Sequence, residues 1–177
     1  KKYLIERGVQ VHVVNAYTKA EEILAKHPDG ILLSNGPGSP EAEPEIVAEV
    51  KKLTESGVPI MGIDLGHLML ASAMGGRVIK LKHGHRGANQ PVRYLPTGIV
   101  YISSQNHGYA VSMDVLPQGA RVTFVNLNDG TCEGLLYEKF PALSVQFRPG
   151  NDEGMVDTGF LLDQFMKMME VDANAAE

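Results

Sequence analysis

A chain of 177 residues, 44% apolar and 21% charged, suits one globular domain with one core. Its net charge of −5, with no Lys/Arg run longer than two, argues against a nucleic-acid surface, and no apolar stretch reaches the roughly 18 residues of a membrane span. One cysteine, Cys132, excludes an internal disulfide and predicts a reducing compartment, the cytoplasm.

The first segment, "KKYLIERG", reads as the second half of a helix ending at Gly8. The strand that should feed such a helix is absent, so a fragment of a longer protein is expected. "VQVHVV" (9–14) is β-branched and predicts a strand, with an open edge towards the next one. A helix follows over 18–26, then a strand, "GILLSNGPGSP" (30–40), that runs into a Gly/Pro loop. "PEIVAEVKKLTES" (44–56) is an amphipathic helix with Pro44 in its first turn and Gly57 past its end. "VPIMGI" (58–63) is a short buried strand, and "LGHLMLASAMGG" is the helix after it. Such alternation predicts an α/β domain around a parallel sheet.

From Arg77 the rhythm changes to short strands: "RVIKLK", "PVRYL", "GIVYISS", "GYAVSM", "ARVTFVNLN", "CEGLLYE" and "ALSVQF". A closing helix spans 158–170, and 171–177 is expected to be a frayed tail to a single domain over 1–170. The expected fold is flavodoxin-like: a mainly parallel sheet, helices on both faces and an antiparallel extension.

Between strand 58–63 and its helix lies "GIDLGHLML" (62–70). The G-x-D-x-G pattern has the outline of a nucleophile elbow, the turn that lifts a Ser or Cys to the head of a helix. Here Asp64 stands at the tip. A carboxylate there suits the free N–H groups of the helix start, and predicts an N-cap worth about 0.5–2 kcal/mol.

The elbow, together with "LSNGPGSP" (33–40), "GHRGANQPV" (84–92), "SSQNHGYAV" (103–111), "VNLNDGTCEG" (125–134) and "SVQFRPG" (144–150), resembles a class I (triad-type) glutamine amidotransferase domain. The likeness is nearest to carbamoyl phosphate synthetase small subunits and runs from about residue 3 to 170. It implies a thiolate attacking the glutamine carboxamide, a histidine oriented by glutamate to move the proton, and ammonia passed to a synthetase large subunit. It also implies a further N-terminal domain of the small subunit. No cofactor is implied.

Matched onto this sequence, the family's cysteine falls on Asp64, its histidine on Arg148 and its glutamate on Gly150. A substrate-holding glutamine falls on Leu68. The matches that remain are Gly36 and Gly38 of the oxyanion loop, Leu65 for its backbone N–H, and Asn106, Gly108 and Tyr109 for the amino-acid end of glutamine. Arg148 has donors only and cannot be a general base. Carboxylate attack on an amide leads uphill to a mixed anhydride with no histidine to protonate the leaving amine. The expectation is therefore a domain that does not hydrolyse glutamine, binds it weakly or not at all, and supports an ammonia-using large subunit. An active glutaminase and a stand-alone small-molecule binding domain remain the alternatives.

Two further expectations concern charge. Asp64 and Arg148 should neutralise each other as an ion pair within about 4 Å; Asp152 and Glu153 are rival partners for Arg148. The imidazoles of "HGH" (83–85) lack a third ligand at helical or loop spacing, so no metal site is expected. His67 and His107 are read as satisfied structural histidines, and Cys132 as a small buried apolar residue.

Overall fold

The structure is a computed structural model that describes residues 2–150 and 158–175, with side chains described as far as residue 170. Seven strands form one sheet in the order β1-β2-β7-β6-β5-β3-β4. They are β1 (Ile31–Leu33), β2 (Ile60–Ile63), β3 (Val78–Tyr94), β4 (Val100–Val111), β5 (Ala120–Asn126), β6 (Cys132–Tyr137) and β7 (Ala142–Val145). The helices are α1 (Lys2–Glu6), α2 (Ala20–Leu24), α3 (Pro44–Thr54), α4 (Leu65–Ala73) and α5 (Phe160–Ala175).

β2 pairs in parallel with β1 and β7, and every other pairing is antiparallel. The sheet is thus mixed, a parallel block of three strands joined to the expected antiparallel extension, with the parallel block the smaller of the two. Part of the reason is residues 9–14, which form no strand. An extended segment with no ladder partner has nothing to bond its backbone to, and β propensity alone does not hold it. A groove of about 1130 Å³ separates this segment from β1; Val9, Val14, Leu32 and Leu33 are among its lining residues. The expected pairs of short strands over 77–94 and 98–113 prove to be two long ones, β3 and β4, whose pairing absorbs two register irregularities. α5 continues through Ala175, into the stretch expected to be tail.

Each face of the sheet buries its own apolar cluster. On one, Val50 and Leu53 of α3 and Leu68–Ala71 of α4 pack with Ile31, Ile60 and Leu135. On the other, Leu4 of α1 and Leu161, Leu162 and Phe165 of α5 pack with Met61, Phe124 and Phe147. Helices therefore cover both faces, as a doubly wound sheet requires. Cys132 is fully buried in β6, and its thiol is pushed up to about 12 by burial, which suits an inert core residue.

Candidate functional site

The elbow is built by backbone contact. Asp64 has φ 52° and ψ −108°, one of two non-glycine residues with positive φ among the described residues. Its N–H is held by the Val145 carbonyl at 2.9 Å, which ties the turn to the end of β7. A Cβ on Gly62 would meet the Gly66 oxygen at 2.7 Å, and one on Gly66 would meet the Leu33 oxygen at 2.1 Å. The glycines of G-x-D-x-G are therefore there for clearance: the strand, the turn and the end of β1 pass too closely for a side chain. A positive φ away from glycine stores strain of order 1–3 kcal/mol and marks functional turns.

Beside this turn, Gly36 abuts Leu65, since a Cβ on it would lie 3.2 Å from that side chain, so the loop after β1 faces the start of α4. Gly38, with φ 99°, occupies a conformation that favours glycine. Leu68 is buried within the apolar cluster and offers no polar group to a substrate. Asn106, Gly108 and Tyr109 lie on β4, with Asn106 exposed and the other two half-buried. Gly150 is joined to Thr158 at the foot of α5, its N–H donating to Oγ1 at 3.1 Å. It brings no side chain that could orient a base.

Two electrostatic expectations are corrected. Asp64 does not cap α4: its side chain makes no cap hydrogen bond. Its Oδ1 instead accepts from Nε2 of Gln146 at 3.0 Å. Nor does Asp64 form an ion pair with Arg148 within 4.0 Å, and Arg148 is exposed. The neutral amide on β7's extension is nearer and costs nothing to desolvate as a charge, so it takes the carboxylate while the guanidinium stays in water. Burial raises the Asp64 carboxyl to about 6, against the opposing pull of Gln146 and Arg148. Asp152 and Glu153 lie outside the described residues.

His67, in the first turn of α4, is fully buried, with Nδ1 2.7 Å from Ser144 Oγ and, among the described residues, no partner for Nε2, so only one of its nitrogens is satisfied where a satisfied histidine is expected. Burial pulls its imidazole down to about 3, so it is neutral.

A second polar cluster was not foreseen as a unit. Alternation along β4 turns Ser103, Gln105 and His107 to the interior, where His85 of β3 pairs opposite His107. His85 Nε2 is 2.7 Å from Asp129 Oδ2, and its Nδ1 is 3.1 Å from both Glu133 Oε1 and Gln105 Oε1. The Glu133 contact, above all, raises this imidazole to about 9 against the opposing effect of burial. No period-2 signal marks the inward side chains, since all five residues 103–107 are polar.

Comparison with known proteins decides the family. The profile of the class I glutamine amidotransferases matches residues 1–168. The chain belongs to that family. Among curated relatives, the carbamoyl phosphate synthase small chain of Polynucleobacter asymbioticus is 47% identical over 168 residues, 95% of this chain and 42% of that one. The small chain of Methanocaldococcus jannaschii is 47% identical over 167 residues, 94% of this chain and 47% of that one. The amidotransferase domain thus spans less than half the length of these relatives. Among solved structures, a putative GMP synthase subunit from Thermoplasma acidophilum superposes with a TM-score of 0.83 at 21% identity, covering 99% of this chain and 88% of that one. A glutamine amidotransferase from Methylobacillus flagellatus gives 0.63 at 17%, covering 83% and 62%. These two likenesses establish the fold.

Proposed function

We propose that this amidotransferase domain is part of a carbamoyl phosphate synthetase small subunit that has lost glutamine hydrolysis. In that role it is a cytoplasmic scaffold on which a large subunit uses free ammonia to make carbamoyl phosphate for pyrimidine and arginine synthesis. The kinship with small chains supports the assignment to that subunit. The observation that carries the loss is the composition of the elbow: a carboxyl bonded to Gln146 where the reaction needs a thiolate.

The chemistry fails at each step. Amide attack needs a strong nucleophile, a base near its own pKa and a proton for the leaving amine. Asp64 is a weak nucleophile whose acyl product would be an anhydride. Arg148 holds its protons at every working pH, and Gly150 cannot orient a base. Leu68 removes a polar contact to substrate, so glutamine binding weakens along with catalysis. What the turn keeps is geometry: a helix start with free N–H groups beside a glycine loop.

The test is a pair of measurements on the small subunit that contains this domain, assembled with a large subunit. Carbamoyl phosphate synthesis should proceed with ammonium and fail with glutamine. Synthesis with glutamine would restore the active-glutaminase reading. Failure to co-purify with any large subunit would favour a stand-alone binding domain.

A further inference from the structure

The His85–His107 cluster has more acceptors than its hydrogens can serve. Each histidine has its outer nitrogen fixed on an acceptor: His85 Nε2 on the Asp129 carboxylate and His107 Nδ1 on the Tyr109 carbonyl, both at 2.7 Å. Those contacts place an N–H on each outer nitrogen, which leaves a lone pair on each inner nitrogen of a neutral ring.

The inner nitrogens face only oxygen acceptors. His85 Nδ1 looks at Glu133 Oε1 and Gln105 Oε1, each at 3.1 Å, and His107 Nε2 looks at the same Gln105 oxygen at 2.7 Å. The Gln105 amide presents its oxygen, not its nitrogen, to both rings. Its Nε2 donates to Ser103 Oγ at 2.9 Å, and that hydroxyl donates to the Gln90 carbonyl at 2.9 Å. On the far side Glu133, fully buried, has Oε2 with no hydrogen-bond partner among the described residues. Asn126 donates only to Oε1.

A cation at this centre would meet acceptors on several sides. Protons on both inner nitrogens would put two imidazolium rings in edge contact, with centroids 4.9 Å apart. One proton on His85 alone leaves His107 facing an acceptor with a lone pair.

We propose that His85, His107 and Glu133, with the Gln105 amide oxygen beside them, form a binding site for a divalent transition-metal ion of the zinc class. Ligating atoms of the three residues lie within 4.8 Å of one another. Two imidazoles, a carboxylate and a carbonyl oxygen are a donor set that zinc and its neighbours accept. The far-side bonds to Asp129 and the Tyr109 carbonyl are what metal-bound histidines use to fix tautomer and ring orientation. All four donors stand on strands β3, β4 and β6, so the site is held by the sheet. The ion would clamp the long β3–β4 pair onto β6 and would sit apart from the elbow as a structural ion.

The test uses the 177-residue chain freed of metal by a chelator, with cobalt(II) chloride as the probe. Expected are one equivalent bound, visible absorption bands of a low-coordinate cobalt site, their loss on adding zinc chloride, and a rise in Tm with metal. Glu133→Gln should weaken cobalt binding on the order of 100-fold, and Asp129→Asn by about 10–100-fold through the outer bond to His85. Asp129 is partly exposed, so its variant serves if the buried substitution does not fold. No stoichiometric cobalt binding by the wild-type chain would overturn the proposal. So would binding that neither variant changes, which would assign the ion to exposed histidines such as His12 or His83.

Discussion

Asp64, in the turn between β2 and α4, and Glu133, on β6, are carboxylates that the fold treats in opposite ways. Asp64 is half-buried, receives one neutral hydrogen bond from Gln146, and has its carboxyl raised to about 6 by burial. Glu133 is fully buried yet meets His85 and Asn126, in a strand whose neighbours supply polar groups. The elbow is organised by close backbone contact; around Glu133 the side chains themselves form a connected set.

Removing Glu133 should have the largest effect on stability. Glu133→Ala removes the fully buried carboxylate that His85 and Asn126 meet, and breaking a buried charged pair costs about 3–5 kcal/mol. Urea unfolding would measure it. A loss below about 1 kcal/mol would mean that the cluster is not a connected unit. Next is Gly66→Ala, which drives a methyl into the Leu33 carbonyl where only backbone can yield. It should cost about 1–3 kcal/mol or more, although alanine is the better helix former. A neutral outcome would undo the clearance argument for the elbow glycines.

Asp64→Asn is the opposite and smallest case, because it should stabilise. The Asp64 carboxyl titrates near 6 in the fold and near 3.9 unfolded, so its neutral form is the one the fold prefers. The stability it contributes is fully present below about pH 4 and is lost as pH rises through about 6. The variant should match wild type at pH 3.5 and exceed it at pH 7.5 by no more than about 1 kcal/mol, given the partial exposure of the group. A Tm difference that does not change with pH would contradict the titration.

Much of this was legible in the chain, for reasons that differ by region. The elbow could be read because its glycines are dictated by backbone contact, which a local pattern records. α3 could be read because Pro44 and Gly57 bracket an apolar face. The Asp64–Arg148 pair does not form because opposite charge says nothing of reach, and a guanidinium left in water avoids desolvation. The partners of His85 were out of sight, since Asp129 and Glu133 come from residues more than 40 positions away and only the β3–β5–β6 order brings them in. Residues 9–14 have strand composition, but a strand exists only with a neighbour to pair with.

Ammonia release from glutamine shows whether the elbow, as we propose, keeps its turn without its chemistry. Wild type, Asp64→Cys and the double variant Asp64→Cys/Arg148→His are compared in one assay. Background release is expected from wild type and from Asp64→Cys, whose thiol of pKa ~8.5 would lack a proton shuttle. Release above background is predicted only for the double variant, with a KM kept high by Leu68. Glutaminase activity in the wild-type chain, or full recovery from Asp64→Cys alone, would contradict that proposal.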